Sequence, residues 1–497
     1  TEGQKHLWIL SQMGDDSLRA YNESMSIDIH GVLDTAVLHQ SLQTLVDRHE
    51  ALRTVFAPNG RSQTFLPEYK LPLNKIDMSR ANGHTTVSFD AWLEQEVATP
   101  FDLTNHPPIR ATLLKFTSDT YKLILTMHHI ITDGWSNGVL LGELSRLYAS
   151  YKTGSSHTLR PATSFREFVT WQQSLPEKVS FDASKAFWLE KFHDDIPVLN
   201  LPTDRPRPKV QSFKGATRKV RLPKKFVQSL KKFSQGNGYT PFVTMLAGFK
   251  LLLHRLSGQD DVTVGIASSG QMAMGVNDLV GYCVNMLPLR DRISAATLFK
   301  DYLQQVQSNL LDAYDHQAYP FGQLVTDLNP PRDPGRPPVF SVVFNMDRPA
   351  TDELKRFSDL QVDFRPNYTT SAKFDIFLNV VEEDGALILE FEHNVDLFES
   401  ATIDRWGAYL RTLLENLMHN PGQSVKHVSL LGEAEQQELM TKYNQTGFAY
   451  PREQSIVALF AEQVAQHGDA TAVSYHNHHL TYAELNGRAN QMAHTLQ

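Results

Sequence analysis

The segment from Tyr121 to Gly134 constrains this chain more than any other, because it is an apolar run that ends in His128-His129-Ile130-Ile131-Thr132-Asp133-Gly134. If the run is extended, Leu123, Leu125, Met127 and His129 share one face while Ile124, Thr126 and His128 share the other. The two histidines then point in opposite directions, which argues against both chelating one metal ion. One imidazole can face a reaction channel while the other is tied into the protein body, and His129 is the better catalytic candidate. Asp133-Gly134 is a turn signal, and Ser136 is placed to cap a helix that carries Leu140, Leu144, Leu147 and Tyr148 at helical spacing. Strand, histidine, turn and helix together read as an acyl-transfer site. A neutral imidazole, with an ordinary pKa of about 6.5, accepts a proton from an attacking amine or hydroxyl near neutral pH. The competing reading is a structural histidine pair with Asp133 closing an ordinary turn.

Size and charge narrow the class. At 497 residues the chain exceeds the length at which a single core keeps growing, so two or three domains are expected. The formal charge of −8, from 47 basic against 55 acidic residues, names no partner, and the absence of a basic stripe argues against nucleic-acid binding. No run of about 18 or more apolar residues appears, so no membrane span is expected. Cys283 is the sole cysteine, which rules out an internal disulfide and a cysteine-rich metal site and fits a reducing, cytoplasmic setting. It reads as a small buried apolar residue.

Strand and helix patterns are mixed along the chain without a strict βαβ rhythm. A strand at Met25–Ile29, a helix from Leu38 to His49, extended segments near Leu52–Phe56 and Ile109–Phe116, and then the histidine strand and its helix form a first group. A second group has helices near Phe226–Phe233, Pro241–Leu256 and Leu298–Tyr314. Its strands lie at Val262–Ala267, Val339–Phe344, Phe374–Val380 and Ala386–Phe391, and a helix at Ile403–Met418 closes it. The proline- and charge-rich segment from Pro202 to Lys209 marks a stiff connection.

The histidine motif resembles the HHxxxDG hallmark of the condensation domains of nonribosomal peptide synthetases. Thr1-Glu2-Gly3-Gln4-Lys5-His6-Leu7-Trp8 resembles that family's SxAQxRLW opening, and Arg48-His49-Glu50-Ala51-Leu52-Arg53-Thr54-Val55-Phe56 its RHExLRTxF segment. Ser164 to Trp171, Leu201 to Pro208, Val280 to Arg290, His316 to Phe321 and Arg332 to Arg336 are similar to further family segments, in order and spacing, so the resemblance runs from residue 1 to about 431. Departures occur at His6, Cys283, Met286 and Gly322, which bear on subclass and channel shape. Ser455 to Phe460 and Leu480 to Asn490 resemble the opening of an adenylation domain. The chain lacks that domain's phosphate-binding loop and so reads as a piece of a longer synthetase that does not itself adenylate.

The resemblance implies an α/β (α+β) fold of two chloramphenicol-acetyltransferase-like lobes in a V-shaped pseudo-dimer with a central tunnel, followed by a small truncated adenylation fragment. The expected boundaries are residues 1–175 and 176–431 for the lobes, 432–451 for a linker and 452–497 for the fragment. It implies amide formation between a donor acyl thioester on an upstream carrier protein and the amine of an aminoacyl thioester on a downstream carrier. The 4′-phosphopantetheine is carried by those partners, no metal is involved, and an adenylation domain works in the same synthetase. His129 would orient the amine and take its proton, a role generally worth about 10²- to 10⁴-fold in rate. The Gly134 N–H is a candidate oxyanion donor and its missing side chain leaves room for the acceptor. Asp133 is expected to be structural, ion-paired with Arg290 or, as second choice, Arg53. His128 supports the site, Arg48 and Glu50 brace the first lobe, and Asn285 either meets a substrate amide or caps local backbone. His476, His478 and His479 read as an exposed loop. The alternatives are a non-catalytic platform that recruits a tailoring enzyme, an epimerisation domain, a heterocyclising domain and a coenzyme A-dependent acyltransferase. The intact histidine motif and the adenylation-like tail argue against them.

Overall fold

A sheet on which one face meets helices and the other carries most of the buried polar side chains positions the histidine motif. The computed structural model describes residues 1–79, 88–156, 159–294, 296–347, 357–367 and 370–497, and every candidate site residue lies among them. In chain order the first half supplies β1 (Asn22–His30), α1 (Thr35–Arg48), β2 (Leu73–Asp77), β3 (Ile109–Lys115), β4 (Thr120–His128) and α2 (Gly134–Thr153). The second half supplies β5 (Gly215–Leu222), α3 (Pro241–Ser257), β6 (Asp261–Ser269), β7 (Val284–Arg292), α4 (Phe299–Asp315) and β8 (Val342–Met346). It then adds β9 (Gln361–Asn367), β10 (Ile376–Glu383), β11 (Ala386–Asn394) and α5 (Ser400–His419).

The fold is mixed α/β with two principal sheets. The first runs β9-β1-β4-β3-β2, and β1 pairs antiparallel with β4 in the register Glu23 opposite Met127 and Ser24 opposite Thr126. Leu123, Leu125 and Met127 of β4 pack with Leu38, Leu42 and Leu45 of α1 and Leu140 and Leu144 of α2. This is the apolar stripe that period 2 on a strand and period 3.6 on a helix require. The alternate face mixes polar residues with the buried Ile124 and Leu114: the Ser24 and Thr126 hydroxyls lie 3.1 Å apart, and Ser26 donates to Asn367 Oδ1 at 2.7 Å.

The strand β9 departs from the expected partition at residue 175. It comes from the second half yet completes the first sheet, with Phe364 opposite Ile27, and Leu279, Val280, Cys283, Phe357 and Leu360 join the same core. Its half-buried Val362 and Phe364 alternate with exposed Gln361, Asp363 and Arg365, a pattern that shows a strand but not the sheet it joins.

The second sheet runs β5-β11-β10-β8-β6-β7, with β8 parallel to both neighbours. The β10–β11 hairpin closes through Asp384-Gly385, both at positive φ (49° and 74°), the geometry of the tight two-residue hairpin turn. Helix α3 is buried from Val243 to His254. Its Lys250 ammonium lies in the core, 2.6 Å from Asp291 Oδ2 on β7, and Tyr302 on α4 donates to the same oxygen at 3.2 Å. Burial pushes the Lys250 pKa down and Asp291 pulls it back up.

Residues Thr1–Gly432 form one compact unit and Glu433–Gln497 a second. The second unit holds helices at Glu433–Thr441, Ile456–His467 and Tyr482–Leu496 and a hairpin of Thr471–Tyr475 with His478–Thr481. Thr481 and Glu484 form a reciprocal capping box at its last helix. Among the described residues, no helix is long and apolar enough to cross a membrane.

Because Asp291 is, among the described residues, the sole carboxylate bonded to the buried Lys250 ammonium, Asp291→Ala strands that charge in the core. Urea unfolding should show a loss of about 3–5 kcal/mol. A loss below about 1 kcal/mol would show that Lys250 reaches water without cost.

Candidate active site

Strand β4 ends at His128, and the chain turns at once into a short 3-10 turn, His129–Ile131. His129 therefore lies outside the strand, and the turn rather than strand alternation sets its direction, so it does not share the Leu123, Leu125 and Met127 face that an extended run would give it. Ile130 and Ile131 are fully buried and anchor the turn, whose backbone is tied at three points. The His128 N–H donates to Pro108 O at 3.0 Å, the His129 N–H to Tyr21 O at 2.7 Å, and Gln4 Nε2 to Ile130 O at 3.0 Å.

His128 is sealed, and its Nδ1 accepts from the Ile130 N–H at 3.1 Å. Burial, reinforced by the nearby His129 and Lys373, lowers its pKa to about 3. His129 keeps 16% of its side chain exposed. Its Nδ1 lies 2.7 Å from the Thr132 carbonyl, which only accepts, so Nδ1 carries the proton and Nε2 presents a lone pair in the neutral ring. Nε2 faces Glu23 Oε1 at 3.2 Å, and Tyr282 packs edge-on against the ring at 5.0 Å. Burial pulls the His129 pKa below 6.5, against the upward pull of Glu23 and with the help of Lys373. A neutral imidazole with a fixed tautomer and a free Nε2 is what a general base requires.

Asp133 does not meet an arginine. It is the N-cap of α2, a role expected above for Ser136, and its Oδ1 accepts from the Ser136 N–H at 2.8 Å and the Ser136 hydroxyl at 2.7 Å. Oδ2 accepts from the Cys283 N–H at 3.0 Å and Gln271 Nε2 at 3.1 Å. Four donors from three segments saturate the carboxylate, which leaves no electrostatic need for a cation. Burial raises its pKa while these donors hold it down. Arg290, on edge strand β7, instead binds Asp261 at the start of the neighbouring β6 and Asp194, and Arg53 donates to the Leu66 carbonyl. Neither arginine supports the site.

Asn285 settles on its backbone role. Nδ2 donates to Gln317 O and Tyr319 O, each at 2.9 Å, and Oδ1 accepts from the Phe321 N–H at 2.9 Å, so both amide donors are committed to backbone carbonyls. Arg48 clasps Glu143 through two nitrogens, and Glu50 accepts from the Ser164 hydroxyl at 2.6 Å; both brace the first lobe. Cys283 is buried. His476, His478 and His479 are exposed. At Gly134 an added Cβ would meet no heavy atom within 4 Å, so the space beside the histidine turn is open. As the first helical residue, Gly134 also has an N–H without an intrahelical acceptor. Among the described residues no group of three His, Cys, Asp or Glu is placed to hold a metal ion.

Glu23, Tyr282 and Lys373 escaped the sequence reading. A carboxylate inside an otherwise buried strand, Asn22-Glu23-Ser24, was the available signal for Glu23. No local pattern places Lys373, which precedes β10 of the other sheet.

Two outcomes follow from this geometry. Asp133→Ala leaves the Cys283 N–H and Gln271 amide buried without an acceptor and uncaps α2, which should lower unfolding free energy by about 2–4 kcal/mol in denaturant titration. Full stability would show that water replaces the carboxylate. For His128, whose folded pKa lies below its unfolded value, the unfolded chain binds the extra proton; stability is complete above about pH 6.5 and falls towards pH 3. His128→Asn, which keeps an acceptor near the Ile130 N–H but does not titrate, should flatten the stability profile over that window. An unchanged slope would assign the acid sensitivity to other groups.

Comparison with known proteins gives the family and the fold. Residues 1–440 match the family model of the condensation domain. Tyrocidine synthase 2 of Brevibacillus parabrevis is 33% identical over 505 residues, covering 100% of this chain and 14% of that protein. Malpibaldin synthetase of Mortierella alpina is 35% identical over 495 residues, covering 99% of this chain and 9% of that protein. The chain thus spans only 9% to 14% of the length of these relatives. Among solved structures, holo-AB3403, a four domain nonribosomal peptide synthetase bound to AMP and glycine, superposes with a TM-score of 0.85 at 21% identity, over 100% of this chain and 38% of that one. That likeness concerns the fold. With the family model spanning most of the chain and relatives a third identical across its length, the chain belongs to the condensation-domain family of nonribosomal peptide synthetases.

Proposed function

We propose that this condensation domain forms an amide bond between two thioesters. The donor is an acyl group, peptide or polyketide-derived, on the 4′-phosphopantetheine of an upstream carrier protein. The acceptor is an aminoacyl group on a downstream carrier. The observation that carries this reading is His129, whose Nδ1–H is locked to the Thr132 carbonyl at 2.7 Å and whose unprotonated Nε2 faces Glu23 at 3.2 Å in a ring that burial pushes towards the neutral form. Nε2 takes a proton from the amine as its nitrogen attacks the thioester carbonyl, and the proton passes to the leaving sulfur as the C–S bond breaks. The N–H of Gly134, at the positive end of α2, stabilises the oxyanion, and the open space over its missing side chain admits the acceptor. His128 remains uncharged beneath the turn, and Asp133 fixes the turn without touching substrate. Residues 1–432 carry this chemistry between two lobes that enclose a tunnel. Residues 452–497 are the start of an adenylation domain that loads the acceptor once complete. The setting is the cytosol, in keeping with a single buried cysteine.

The test loads donor acyl and acceptor aminoacyl groups on separate carrier proteins, adds the chain, and follows condensed product by intact-protein mass spectrometry. The native chain should form amide, and folded His129→Ala should be slower by about 10²-fold or more. No product from several donor classes, with both carriers still bound, would replace this reading with a recruiting platform.

A further inference from the structure

We propose that Glu23 and His129 Nε2 form the binding site for the protonated α-amine of the acceptor, with the Glu23 carboxylate as its counterion. The inference rests on the amide-forming reading above and names how that site recognises its nucleophile.

With Nδ1–H committed to the Thr132 carbonyl, Nε2 of the neutral ring is an acceptor, and Glu23 Oε1 stands 3.2 Å from it. A carboxylate offers only acceptors, so two acceptors face each other with no proton between them. A primary ammonium has three N–H donors and a positive charge, and so satisfies both. A tetrahedral donor at hydrogen-bonding distance from each needs the pair to open by roughly 1–1.5 Å. Glu23 has that freedom. Its side chain is 24% exposed, and among the described residues its other oxygen is held only by Asn137 Nδ2 at a long 3.4 Å. Of the other charged groups, Lys373 is a cation, Asp133 is saturated by its four donors, and His128 is neutral at ordinary pH. Two further carboxyl groups feel the Glu23 charge, Glu392 and Asp347; burial pushes both towards the neutral form, Glu392 accepts from the Lys373 N–H at 3.2 Å, and Asp347 accepts from the Asn345 and Asn379 amides, each at 2.8 Å.

The site also serves the proton balance. The bound ammonium gives one proton to His129 Nε2, and Glu23 stabilises the imidazolium until that proton leaves to water. The neutral amine then attacks the thioester carbon. The C–N bond forms, the C–S bond breaks, and the second amine proton ends on the departing thiol. Glu23 is thus a substrate-binding residue whose charge also favours the proton transfer.

The test uses the full chain and a matched pair of non-reacting probes, L-alanyl-pantetheine amide and L-lactyl-pantetheine amide, which differ only in ammonium against hydroxyl. By calorimetry the native chain should bind the ammonium probe at least about tenfold more tightly, and Glu23→Gln should reduce that preference to within about threefold. Glu23→Asp, which keeps the charge, should retain part of the preference. In the carrier-based assay, Glu23→Gln should raise the acceptor KM by more than it lowers kcat. Equal preference in the native chain and Glu23→Gln, or a native chain that binds the ammonium probe no better than the hydroxyl probe, overturns the proposal. Absence of amide product from a native chain that keeps the ammonium preference would instead overturn the amide-forming reading alone.

Discussion

The buried carboxylate of Asp133 is the interaction on which the rest of the site depends. It caps α2 through Ser136, and through Cys283 and Gln271 it fastens that helix to segments flanking the second sheet. A buried anion would ordinarily demand a cation; here four donors take that place, although burial still raises the carboxyl pKa. The histidine turn is held between this cap and the end of β4. The Thr132 carbonyl, one residue before the cap, is the group that fixes the His129 tautomer. Helix start, turn and imidazole are therefore a single hydrogen-bonded unit.

That unit sits where the two halves of the chain share structure. Strand β9 crosses from the second half to complete the first sheet, and Lys373 approaches the histidines from the second half as well. Electrostatics at His129 are accordingly a sum over both halves. Burial and Lys373 lower its pKa, and Glu23 and Asp133 raise it, with burial prevailing. A fully buried His128 beside it loses its charge altogether, which keeps a second cation from the reaction centre.

Where sequence reasoning fell short, the cause was long-range geometry. The pairing of Asp133 with Arg290 followed from a buried acid needing a partner. The partners were backbone and amide donors at positions 136, 271 and 283, invisible to any charge-matching rule. Arg290 had two aspartates nearer to hand. Capping by Ser136 was displaced three residues because an aspartate immediately before the helix reaches the free N–H first.

By itself the sequence determined the strand, turn and helix around His129, the main helices and most strands of both halves, and the family, because these follow from side-chain periodicity and from residues adjacent in the chain. Only the tertiary structure decided which sheet β9 joins, what neutralises Asp133, and that Glu23 stands against Nε2 of His129. Strand alternation says which face a residue occupies, but not which distant strand or loop will be folded against it.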